Sequence, residues 1–99
     1  MIIAQVTISP FDKGVSVGKY VREAVKVIEN SGLKYRVCAM ATEIEAPDMD
    51  TILDVVKRAE QAVIDAGSKR VITTIKIDHR TDIDASMERK IKVAKGEIE

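Results

Sequence analysis

The sequence predicts an α+β sandwich with elements in the order β-α-β-β-α-β and a short C-terminal helix. Three observations carry that prediction. Ile2–Ser9 and Arg70–Asp78 alternate with a period of two, as half-buried strands do. Two intervening segments repeat apolar residues at i, i+3, i+4 and i+7, the stripe of an amphipathic helix. Pro10, Gly32, Pro47 and Gly67 fall between these segments, where turns are needed. With 99 residues the chain makes one domain, 1–99, with a modest core that burial against further subunits would supplement.

In the first strand Ile2, Ala4, Val6 and Ile8 share one face, and Ile3, Gln5, Thr7 and Ser9 the other. Pro10 ends it, and Phe11-Asp12-Lys13-Gly14 reads as a loop. A helix follows from Val17, with Tyr20, Val21, Ala24, Val27 and Ile28 on its stripe, Ser16 placed to cap it and Gly32 past its end. Leu33–Ala46 reads as a hairpin turning near Met40-Ala41. Asp50, or Asp48, caps a second helix striped by Ile52, Val55, Val56, Ala59, Ala62, Val63 and Ala66, and Gly67 closes it. In the last strand Val71, Thr73, Ile75 and Ile77 oppose Ile72, Thr74, Lys76 and Asp78. Asp84–Ala94 carries a narrow stripe of Met87, Ile91 and Ala94, a short tail helix packed against something. Two striped helices on one face of four strands give the ferredoxin-like arrangement.

Composition narrows the function. Sixteen basic residues balance sixteen acidic ones, so nothing favours generic attachment to nucleic acid or anionic membrane. No run approaches the ~20 apolar residues of a membrane span, and no basic leader precedes the opening apolar run. The lone cysteine, Cys38, makes no intrachain disulfide and suits the cytoplasm. RNA recognition modules share this element order but stack bases on sheet aromatics, and neither the first nor the last strand carries one on either face.

Catalytic and metal chemistry find little material. One histidine, His79, stands just past a strand beside Asp78 and Arg80, as a solvated strand-end residue does. Without a second His or Cys a zinc site is not expected, and no cofactor motif is present. Glu43 and Glu45 share a strand face and can serve a cation or an amino-bearing ligand; solvated edge charge is the plainer reading. An acylphosphatase-like enzyme would need Arg and Asn at an anion loop, and the single Asn30 lies at a helix end. The open sheet face, with Ile3 and Ile72 among Gln5, Thr7, Ser9, Thr74 and Lys76, suits a subunit interface containing a polar pocket, or an ordinary amphipathic surface.

Several segments resemble the YkoF-like thiamine/hydroxymethylpyrimidine-binding family, long grouped as an uncharacterised protein family. They are Arg70–Arg80, Ser16-Val17 with Tyr20-Val21, Ser31–Tyr35, and Met40-Ala41-Thr42-Glu43-Ile44-Glu45, in order and at the family's spacing. His79 departs from the family, which more usually has an acid there, and Ala41 stands for another small residue. The resemblance implies a ferredoxin-like subunit, dimers joined through their sheets and commonly a homotetramer. It implies non-enzymatic binding of thiamine or its aminopyrimidine half. Thr42 and Glu45 match the hairpin motif and can supply polar partners, together with Ser9; Tyr20 and Met40 supply the wall. The alternative is a structural or regulatory oligomer without a small ligand. Lys76 suits a phosphate, a carboxylate or an interface ion pair.

Overall fold

The computed structural model describes every residue, Met1–Glu99. Its elements are β1 (Ile2–Pro10), α1 (Gly18–Asn30), β2 (Lys34–Val37), β3 (Thr42–Ala46), α2 (Met49–Asp65), β4 (Val71–Asp78) and α3 (Met87–Ala94). The sheet runs β2-β3-β1-β4, antiparallel throughout, which is the ferredoxin-like order read from the sequence.

β1 is central because it has two partners to satisfy and an apolar face to bury. Ile2, Ala4, Val6 and Ile8 are all buried and meet Ala24 and Ile28 of α1 and the Ile52, Val55, Val56, Ala59, Val63 stripe of α2. Ile44 and Ala46 of β3 complete this core, and Val71, Ile75 and Ile77 of β4 pack at its margin. Ala66, the last residue of the predicted stripe, is exposed past the end of α2.

The helix ends differ in detail from expectation. Ser16 does not cap α1: Val17 occupies the N-cap and no side chain caps this end. Of the two aspartates offered for α2, Asp48 takes the cap, accepting from the Thr51 amide at 2.7 Å and the Thr51 hydroxyl at 2.7 Å, while Asp50 lies in the first turn. Those bonds favour the ionised form and hold the Asp48 carboxyl below its ordinary range. A depressed folded-state pKa adds stability above the unfolded value, and that stability is lost as pH falls through the folded one. Asp48→Ala should therefore melt below wild type at pH 7, with the gap closing below about pH 4. Thermal melts across acid pH check it. Gly32 and Gly67 both take positive φ, +79° and +119°, where the chain leaves α1 and α2.

A long-range clamp fixes the α2–β4 connection. Asp12 accepts from the Ser68 hydroxyl at 2.7 Å and the Lys69 amide at 2.7 Å, and the Phe11 amide donates to the Arg70 carbonyl at 2.7 Å. Ser68 is buried by this arrangement.

The tail helix begins at Met87, with Ser86 as its N-cap accepting from the Arg89 amide at 3.1 Å. It lies on the face of the sheet away from α1 and α2. Ile3, expected to be covered by another subunit, is already buried in the single chain and lines one cleft with Met87 and Ile91. α3 is tied down by Lys90 to Asp78 at 2.7 Å, Lys34 to Glu88 at 3.8 Å and the Met87 amide to Glu45 at 3.0 Å.

Candidate functional site

Strand parity decides which side chains can meet. β3 pairs with β1 as Val6↔Thr42, Gln5↔Glu43, Ala4↔Ile44 and Ile3↔Glu45, so Thr42 lies on the helix side and Glu45 on the opposite side. The two polar residues expected to share a ligand are thus divided by the sheet. Two hollows, one on each side, border this strand.

The first lies between the β2–β3 turn and α1, with a volume of about 230 Å³. Its lining includes Ser9, Met40 and Thr42, with Val21, Ala24, Val25 and Ile28 of α1 behind them. The turn is closed by the Cys38 amide donating to the Ala41 carbonyl at 2.9 Å, close to the expected Met40-Ala41 position. β1 outruns its pairing with β3 at Val6, so Thr7, Ile8 and Ser9 present an edge that β3 does not cover. Thr42 is 8 % exposed at the mouth of β3, whereas Met40 is 88 % exposed on the turn. The hollow thus has a mostly apolar lining, three hydroxyl-bearing residues (Thr7, Ser9 and Thr42) and a strand edge, the composition of a small-ligand pocket.

Tyr20 and Glu45 lie outside it. Tyr20 packs against the margin of the core, its ring flanked by Lys13 and Lys19 nitrogens at 5.8 and 5.3 Å. Glu45 is buried, not a solvated edge charge, and accepts from the first amide of α3 at 3.0 Å. A carboxylate there complements the positive end of the helix.

The second hollow is a cleft of about 570 Å³ between the sheet and α3, lined by Gln5, Glu43, Lys76, His79 and Lys90 among others. The sequence placed Gln5 and Lys76 on the open face, and the register sets them directly opposite one another. The stripe of Met87, Ile91 and Ala94 shows that the tail helix packs against something, but nothing local in the sequence says that it roofs this face. No helix is long and apolar enough to cross a membrane, and no group of three His, Cys, Asp or Glu converges as a metal site.

A family model described as thiamine-binding protein matches residues 4–95. The chain belongs to this thiamine-binding protein family. The resemblance read from its segments is borne out over nearly the whole length. Within the family, a protein named only as UPF0045 from Methanothermobacter thermautotrophicus is 38% identical over 99 residues, covering 99% of this chain and 100% of that one. A hypothetical protein of Methanocaldococcus jannaschii has a crystal structure with TM-score 0.88 at 41% identity, covering 98% of this chain and 97% of that one. A Bacillus cereus structure, described as a domain of unknown function, has TM-score 0.85 at 38% identity, covering 97% and 91%.

Proposed function

We propose that this member of the thiamine-binding family binds the aminopyrimidine half of thiamine, without transforming it, in the hollow between the hairpin turn and α1. The observation that carries the reading is the meeting of Ser9, Met40 and Thr42 around that hollow. At about 230 Å³ it falls below the ~300 Å³ where pockets for drug-sized ligands begin, so a single substituted ring suits it better than the whole of thiamine. The Thr42 hydroxyl and the uncovered β1 edge at Thr7–Ser9 offer donors and acceptors to the amino group and ring nitrogens. A binding role also agrees with the separation of reactive side chains: Cys38 lines this hollow and His79 the cleft on the other side. The free, exposed thiol of Cys38 suits the cytoplasm.

The assembly belongs to the same reading. α3 covers Ile3 but leaves Ile72 39% exposed, opposite Ser9 on the sheet face. Pairing two such faces in a closed dimer, and dimers in a tetramer, would bury that patch. Light scattering at micromolar concentration should find an oligomer; a stable monomer would end the idea.

The ligand test is calorimetry with hydroxymethylpyrimidine and thiamine. Thr42→Val, which keeps the shape and removes the hydroxyl, should weaken binding by at least about 1 kcal/mol, or roughly fivefold. Glu45→Gln should leave it unchanged. Loss on Glu45→Gln with no loss on Thr42→Val would move the ligand to the other face. No binding by the wild type to either compound would favour a structural or regulatory oligomer.

A further inference from the structure

We propose that the cleft beneath α3 is a second binding site, specific for a small zwitterion that carries an amino group at one end and a carboxylate or phosphate at the other. This does not rest on the ligand proposed for the hairpin hollow, since the two hollows lie on opposite faces of the sheet.

The argument begins with a row of side chains. Glu43, Gln5 and Lys76 occupy facing positions on the three adjacent strands β3, β1 and β4. All three line the cleft. An acid and a base thus stand two strand spacings apart, roughly 10 Å between backbones, with an amide between them. Neither charged end makes a direct ion pair within the chain, although Arg36 faces Glu43 from β2 and Lys76 lies in the field of Asp78; Glu43 accepts only a weak bond from the Cys38 thiol at 3.6 Å. Asp78 and Lys90, also in the lining, neutralise each other at 2.7 Å.

What remains is a dipolar cleft. Its positive end is Lys76 and its negative end is Glu43, with His79 also in the lining. Equal and opposite charges give no net attraction to a simple anion or cation, but they reward a ligand that presents both charges at the matching separation. The side chain of Gln5 offers an acceptor and a donor to the middle of such a ligand. Ile3, Met87, Ile91 and Ala94 supply an apolar roof and floor for its carbon chain. The volume of about 570 Å³ lies within the ~300–1,000 Å³ range of small-molecule sites.

Amide NMR titration of the full chain tests this, with 6-aminohexanoate and 4-aminobutyl phosphate as probes and hexanoate and hexylamine as single-charge controls. One or both zwitterions should shift Gln5, Lys76 and His79 resonances and bind more tightly than either control; which one does so tells carboxylate from phosphate. Lys76→Gln and Glu43→Gln should each weaken that binding by about fivefold, the order of one partly exposed ion pair. Both variants should keep the wild-type melting midpoint and its affinity for hydroxymethylpyrimidine. The proposal is overturned if neither zwitterion shifts these resonances at millimolar concentration. Controls binding as well as the zwitterions, or both variants binding like wild type, would overturn it equally.

Discussion

Ile52→Ala should destabilise the fold by about 2–5 kcal/mol, the range for removing a fully buried isoleucine and leaving a cavity. Ile52 has no exposed surface and belongs to the α2 stripe that covers β1 and β3. For a domain of this size each kcal/mol moves the thermal midpoint by about 4–8 °C, so the loss consumes much of the ~5–15 kcal/mol available. Val56→Ala, which removes less volume from the same stripe, should cost less. Chemical denaturation gives both values directly. A loss below about 1 kcal/mol for Ile52→Ala would mean that the space beneath α2 closes up, and that the interior is less tightly built than its burial indicates.

Ending the chain after Arg80 should leave a folded sheet with α1 and α2 but weaken it by about 1.5–3 kcal/mol, the value of returning one buried isoleucine to water. The reason is positional. The main core cluster contains no residue of α3, while Ile3, on the other face, owes its burial to that helix. The truncated chain should melt cooperatively at a lower temperature and lose every ligand of the cleft. Circular dichroism and the melt decide it; an unfolded product would make α3 part of the core.

Most of the fold was legible because each element announces itself locally. Alternation in Ile2–Ser9 and the stripe of α2 are statements about period, and period fixes which face is buried. The difficulties arose where the deciding partner is remote in sequence. Asp12 reads as a loop residue until Ser68 and Lys69 are brought to it across 56 and 57 positions. Ser16 has the right chemistry for a cap, yet α1 begins at Gly18, one residue too late for it to serve. The site was legible in part for the same reason. Ser9, Met40 and Thr42 border one hollow, Ser9 only through the strand edge because its side chain shares the odd-numbered face, whereas Glu45 matched the motif but is turned away by a three-residue offset along β3. Period two makes an odd offset a change of side, which the motif read as a string does not display.

That offset has an evolutionary corollary. Thr42 and Glu43 are neighbours in the chain, yet one borders the hollow beside α1 and the other the cleft beneath α3. A five-residue strand therefore acts as a partition wall with separate furnishings on each side. Drift at Thr42 or its even-numbered companions can retune one chamber without altering a side chain in the other, and the reverse holds for Glu43 and Glu45. Duplicated copies of such a chain can change the lining of one hollow at a time, keeping the other as inherited.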